Sequence, residues 1–516
     1  MTNWTDGYQT DVNYTYGYYR DLSPYFQKFC LLLNGIDTPH LDQNSTHCEL
    51  GFGQGVSINI HAASQAGTFF GNDFNPAHAA HANHLAQKSQ VNSHFYDDSF
   101  EELLNRSDLP MFDSISLHGI WSWISFHNQS IIMQFIRRYL KPGGMVYISY
   151  NCLTGWSANM PVRELFYSHF NYSNKNTDTL QQVKESLEFS ENLLALNPLF
   201  AQRNPNALKK VQELTKQNPN YLVHEYLNQD WQCFSFRQIA QIFEENKLTF
   251  AGSSDLNTQL NQINFTQEHQ DFIHSIQHPV LKEQVREIFS NTQFRKDIFI
   301  RGKNVLTPQQ TQQRLRQTAF VLFISPENTP KVIHGFLGEF NLLSDIYEPL
   351  VDYFKEKNYQ PQRIENIEKA LPKLNYNQIL NALVILCHLS IAQPCIDTKP
   401  SQTTLQNAQR LNMYLLEQAQ FHQNYTVFSN PHTGIGFSSE YFDTLFIKAH
   451  FIEGLKTTQQ YAEYAQKTLD SLGWSVVEQG QTISDRQESL QYFQNRADSF
   501  IQHDKLKIIK QLQLFS

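Results

Sequence analysis

The chain has 516 residues, 41% of them hydrophobic, which is too apolar for a disordered protein and too long for one ordinary core. Acidic residues outnumber basic ones 49 to 40 and no run of Lys and Arg occurs, which argues against nucleic acid as a partner. Six scattered cysteines form no Cys-x-x-Cys pair, so a zinc ribbon, a redox dithiol and a disulfide framework are all disfavoured. The N-terminal stretch has neither a basic n-region nor an apolar h-region, and the longest apolar runs, such as ALVILCHLSIA, are too short to span a bilayer. A cytoplasmic protein without membrane insertion is the expectation.

From His47 to about Tyr150, short apolar runs alternate with amphipathic segments. THCEL, GTFFGNDF, VNSHFYDD, FDSISLHGI and MVYISYN read as strands. VSINIHAASQ, NPAHAAHANHLAQKS and QSIIMQFIRRYL read as helices between them. This alternation predicts a parallel sheet with right-handed crossovers. From 161 to 226 the chain becomes polar and helical, which reads as an insertion into the sheet domain. Residues 227–303 add FSFRQIAQIFEENKLTFAGSS and QFRKDIFIRG, a helix and two strands that complete the sheet begun in 1–160. TPQQTQQRLRQT reads as a solvated connection, and 319–516 as a mainly helical domain with a winged-helix-like part.

The segment ELGFGQG sits between the first strand and the first helix, where glycines permit a tight turn and close approach to a ligand. A Walker A loop requires Gly-Lys-Ser/Thr, and Val56 follows Gly55 here. A dinucleotide fingerprint requires a glycine where Val56 stands. Glu49, Gly51, Gly53 and Gly55 instead fit the acidic-x-Gly-x-Gly-x-Gly loop of class I S-adenosylmethionine-dependent methyltransferases. In that reading Glu49 faces the amino-acid end of the cofactor, directly or through water. Asp73, about twenty residues further on, is placed to accept both ribose hydroxyls, with Phe74 beside it. Asp98 with the Ser99 N–H are candidates for adenine; Asp97 and a plain turn stay open. His118, Trp121 and Trp123 follow the fourth strand, where aromatic faces suit a sulfonium or an amine. Tyr150, Asn151 and Trp156 end the fifth. Tyr14, Tyr16, Tyr18 and Tyr19 form either a lid or a packed pre-sheet segment. His78, His81 and His84 lack a further metal ligand and read as a solvated helix face, so no metal is expected.

In chain order, YTYGYYRDLSP, ELGFGQG, GNDFNPAHAAHA, LHGIWSW, SYNCLTGW and HEYLNQDWQCFSFRQIAQIFEENKLTFAGSSDL resemble bacterial methyltransferases with a methyltransferase regulatory region. These include the outer-membrane-protein lysine methyltransferases. Thr154 stands where that family often has proline. The resemblance implies a Rossmann-like core binding S-adenosyl-L-methionine through Tyr14, Glu49, Gly51, Gly53, Gly55, Asp73, Phe74, Asp98, Ser99, His118 and Trp121. It implies a lysine acceptor on a protein, an outer-membrane or surface protein among the candidates. Tyr150, Asn151 and His118 are then candidates for aligning the amine and accepting its proton, with none an obligatory base, and Trp123 and Trp156 are expected on the substrate side. A dimerisation or substrate-docking role follows for 161–226, and a second docking role for the C-terminal domain. A small-metabolite methyltransferase and a non-enzymatic S-adenosylmethionine-binding regulator are the alternatives.

Overall fold

The computed structural model describes residues 16–173, 178–396, 399–478 and 480–516. Its centre is a seven-stranded sheet of β1 (Thr46–Leu50), β2 (Thr68–Asn72), β3 (Ser93–Tyr96), β4 (Phe112–Leu117), β5 (Leu140–Asn151), β6 (Thr249–Ser253) and β7 (Phe294–Ile300). The strand order is β3-β2-β1-β4-β5-β7-β6. β1 to β5 are parallel, and β7 runs antiparallel to both neighbours. The order reverses between β1 and β4, and ligands bind outside the carboxyl ends of strands at such a switch point.

Helices cover both faces. On one side lie α1 (Pro24–Leu33), α2 (Val56–Ser64) and α3 (Pro76–Ser89). Their cores gather Phe26, Val56, Ile60, Tyr147 and Ile298, and Ile58, Phe69 and Ala82. On the other side α4 (Phe100–Asn105) and α5 (Phe126–Tyr139) pack on Leu50, Ile115, Trp121 and Tyr150. The period of two along each strand thus sends Glu49, Ser116 and Tyr147 to the α1–α2 face, and Leu50, Leu117 and Ile148 to the other.

Between β5 and β6 stand α6 (Met160–Tyr172), α7 (Thr179–Ala195), α8 (Asn206–Leu214) and α9 (Pro219–Tyr226), packed around Trp156, Phe166, Leu187 and Leu222. Then α10 (Phe236–Glu244) and α11 (Pro279–Phe289) flank the returning strands. Thr154 donates to Glu287 of α11 at 2.7 Å, so a hydroxyl anchors this turn.

TPQQTQQRLRQT, a solvated connection as expected over most of its surface, is a helix, α12 (Pro308–Gln317). Its Leu315 is buried, and its arginines pair with Asp37 and Glu368. Pro308 at the first turn and the Thr307 capping box start it, signals that its glutamine content obscured. Beyond it, a three-stranded antiparallel sheet centred on β8 (Ala319–Leu322) packs with helices. α13 (Gln402–Gln418) and the hairpin β9 (Val427–Asn430) and β10 (Ile435–Ser438) lie against α2 and α3.

Candidate active site

β1 ends at Leu50, and the chain turns into α2 through Gly51 at φ +67° and Gly55 at φ +71°. These left-handed conformations disfavour any side chain, and a Cβ would overlap Ile120 at Gly51 and Ala82 at Gly55. No side chain caps α2, so its first-turn N–H groups stay open toward the loop. Asp73 closes the turn from the end of β2. Its Oδ2 accepts the Gly53 N–H at 2.8 Å, and its Oδ1 accepts the Asn75 N–H and His78 Nδ1, each at 3.0 Å. Three of four carboxylate acceptor directions are therefore filled. One acceptor direction of the Asp73 carboxylate is left open. Asn75 caps α3, as its position before Pro76 implies.

Glu49 is 7% exposed, and its side chain makes no hydrogen bond or ion pair among the described residues. Burial, with the Asp73 carboxylate adding to it, pushes its carboxyl up to about 8. Along the same face, the Gln27 amide of α1 donates to Ser116 Oγ at 3.2 Å, and Asp21 pairs with Lys296 at 2.8 Å. His118 Nδ1 lies 2.7 Å from the Tyr147 hydroxyl, and the Tyr19 ring covers His118 at 4.1 Å. Burial holds the His118 imidazole down at about 4, so it is neutral at pH 7. Asn151 is 2% exposed, and its Nδ2 has no acceptor among the described residues. Strand alternation sets it on the Tyr147 side at the carboxyl end of β5.

Several expected residues point elsewhere. Tyr150 is fully buried on the opposite face and donates to Asp297 Oδ2 at 2.7 Å. Asp297 is itself held by Arg295, so Tyr150 belongs to a structural network. Trp121 is fully buried against Phe243 in that same core. Trp156 is buried and packs on Tyr226 and Trp231 at the root of the insertion. Trp123 is covered by α9, its Nε1 donating to the Glu225 carbonyl at 3.3 Å. Asp98 pairs with Arg106 at 3.0 Å. Ser99 caps α4, and its N–H is already given to Glu102 at 2.8 Å, so it is not free for an adenine nitrogen. Phe74 is half-buried beside Asp73. Tyr14 lies outside the described residues.

The three histidines of α3 are a solvated face only in part: His78 is buried, His81 half-buried and His84 exposed. His78 holds Asp73, and His84 reaches Tyr414 at 2.9 Å. His81 Nδ1 donates to the Gln54 carbonyl at 2.6 Å, which leaves Nε2 to accept from the Tyr425 hydroxyl at 2.8 Å. No group of three or more His, Cys, Asp or Glu that could hold a metal occurs among the described residues. Sequence reading missed Tyr147, Asp21 and Lys296. Counting Tyr147 by twos along β5 with Ser149 and Asn151 was the available signal for the first.

The strand order, the antiparallel β7 and the Glu-x-Gly-x-Gly-x-Gly turn define a class I methyltransferase, whose cofactor is S-adenosylmethionine. A methyltransferase domain matches residues 48–144, and a predicted methyltransferase regulatory domain matches 218–301. The Synechocystis protein sll1526 is 33% identical over 512 residues, spanning 99% of each chain. The chain belongs to this family of methyltransferases with a regulatory domain. Rickettsia prowazekii RP789 is 22% identical over 500 residues, covering 91% of this chain and 87% of its own. PKMT2 from Rickettsia typhi, solved in complex with AdoHcy, shares the fold with a TM-score of 0.71 at 18% identity, covering 97% of this chain and 99% of its own. No helix among the described residues is long and apolar enough to cross a membrane.

Proposed function

We propose that this methyltransferase modifies lysine side chains of a protein, with Glu49 and the glycine loop holding S-adenosylmethionine. The observation that carries the cofactor site is Glu49, a buried carboxylate without a hydrogen-bond donor beside an open helix N-terminus at the sheet's switch point. An isolated buried carboxylate is costly, and a ligand ammonium would relieve that cost. Asp73 has one acceptor direction left for a ribose hydroxyl. The orphan Asn151 amide is a further donor at the same edge.

When bound, the cofactor supplies a sulfonium methyl group for in-line transfer to a nucleophile, and the S–CH3 bonding pair stays on sulfur. The chain's own part is to orient and desolvate. Free lysine has a pKa near 10.4, and its ammonium has no lone pair. The rings of Tyr19 and His118 exclude water and favour the neutral amine. The neutral His118 imidazole can hold a proton shared with Tyr147 at 2.7 Å. The lysine acceptor, an outer-membrane or surface protein as its carrier, and dimerisation through 161–226 rest on the resemblance to lysine methyltransferases. Incubating envelope protein and cell extract with methyl-tritiated cofactor tests the reading. Label in a protein band, recovered as methyl-lysine after hydrolysis, is expected. Label confined to small molecules, or no transfer, contradicts it.

A further inference from the structure

We propose that a cavity between the sheet domain and the C-terminal region binds an amphiphilic carboxylate, its head on the Lys28 ammonium and its apolar body along α1. This ligand is separate from the methyl donor and the methyl acceptor. The cavity measures about 510 Å³, within the roughly 300–1,000 Å³ of small-molecule sites, and such sites favour domain junctions. α1 forms one wall. Tyr25, Lys28, Phe29 and Leu32 recur at offsets of three and four and so share one face of the helix. Gln27 lies on the opposite face, where it donates to Ser116. The thickness of α1 thus separates the cavity from the methyl-transfer side. The other walls are the loop after α1, Arg314 of α12 and the end of the strand Ala392–Pro394 with Ile396. That strand pairs with β8, whose Phe320 ring meets Phe29 at 5.6 Å.

Lys28 is the polar anchor. Its Nζ donates to the Pro39 carbonyl at 2.7 Å and stands 6.0 Å from the centre of the Tyr25 ring. It pairs with no carboxylate among the described residues. Asp37 is the one acid among the described lining residues, and it is engaged elsewhere. One of its oxygens pairs with Arg314, and the other accepts from Asn304 Nδ2 at 3.2 Å. Tyr25 gives its hydroxyl proton to the Leu41 carbonyl at 2.9 Å, and His40 is exposed. The Arg314 charge is therefore answered and the Lys28 charge is not. A half-buried ammonium without a counter-ion is costly, and burial brings Lys28 down to about 8, with Asp37 opposing the fall and Arg314 adding to it. An anion at Nζ relieves that cost through a charge-assisted hydrogen bond. Beside Nζ, the side chains of Phe29, Leu32, Ile36, Pro394 and Ile396 are apolar. One unanswered ammonium beside apolar walls fits one carboxylate on an apolar body. Such an occupant touches α1, α12 and the C-terminal strand together, and so braces the junction between the two regions.

The test is calorimetry on the full chain with octanoate as the probe. Octanol is the uncharged control, and inorganic phosphate the anion without an apolar body. Expected are saturable binding of octanoate, about tenfold or more tighter than either control, and a thermal midpoint that rises with octanoate concentration. Lys28→Gln should weaken octanoate about tenfold or more, and Lys28→Arg, which keeps the charge, should restore most of the affinity. Leu32→Ser leaves every charge in place and should weaken octanoate several-fold, which tests the location independently of Lys28. Absence of octanoate binding, equal affinity for octanoate and a control, or octanoate affinity unchanged in both Lys28→Gln and Leu32→Ser overturns the proposal. Asp397 follows Ile396 and lies outside the described residues. Octanoate binding that emerges only in Asp397→Asn would show that this carboxylate already answers Lys28, and would overturn the proposal as well.

Discussion

At the scale of single residues, the proposal turns on which carboxylate lacks a partner. Glu49 holds a proton in the folded chain up to about pH 8, whereas in the unfolded chain it ionises near its ordinary 4.5. Its contribution to the stability of the cofactor-free protein is therefore complete below about 4.5 and is lost as pH rises toward 8. Glu49→Gln should raise the thermal midpoint at pH 8 while weakening cofactor binding by roughly 1.5–3 kcal/mol, the worth of a charge-assisted hydrogen bond. Differential scanning fluorimetry and calorimetry check both signs. Tyr150 makes the opposite case. Tyr150→Phe removes a donor from Asp297 and should cost about 1–3 kcal/mol of stability, read by denaturant unfolding, with cofactor affinity unchanged. Tyr147 and Tyr150 show what the sequence hides at this scale. Both are tyrosines of one strand, but an odd offset sends them to opposite faces. Ser99 was legible as a cap, because Glu102 stands three residues on, and that role competes with adenine binding. The tryptophans of LHGIWSW carried no such local sign. Only the insertion packed over Trp123 and the core around Trp121 decide their places.

At the scale of elements, the turn between β1 and α2 was readable because few residues tolerate its backbone. Gly51→Ala places a side chain at φ +67° against Ile120, and should both destabilise the fold and abolish cofactor binding. A variant that binds normally would show that the turn relaxes freely. The strand–helix alternation was readable for a related reason, since buried parallel strands and amphipathic helices impose different periods on the sequence. α3 was located correctly, its face only in part. The histidines look alike in the sequence, but the rest of the chain buries His78 on Asp73 and half-buries His81 on Tyr425, leaving His84 exposed beside Tyr414. α12 is solvated as read, but one buried leucine and two ion pairs anchor it as a helix.

At the scale of the whole molecule, the C-terminal region is built into the cofactor side of the core. The Gln65 amide and the Ser23 hydroxyl both donate to the Gly434 carbonyl, at 2.6 and 2.8 Å. The Ser429 hydroxyl reaches Ile60 of α2 at 2.8 Å, and Tyr18 binds the Gly436 N–H. His81 joins Tyr425 directly to the Gln54 carbonyl of the glycine loop. Removing residues 319–516 would strip these contacts and bare Val56 and Ile60, so the truncated chain should be insoluble or fail to bind cofactor. Tyr425→Phe is the gentler version: it should leave the fold intact and weaken cofactor binding a few-fold, read by calorimetry. The helical character of the C-terminal region was legible in the sequence but this docking was not, because its contacts join residues more than 300 positions apart. The most direct measurement is a calorimetric titration of the full chain with S-adenosylhomocysteine, repeated in buffers of different ionisation enthalpy. One-to-one binding with net proton release at pH 7, abolished in Glu49→Gln as to the proton and weakened as to affinity, is the predicted result. No binding, or binding with neither proton release nor sensitivity to Glu49, would contradict the account.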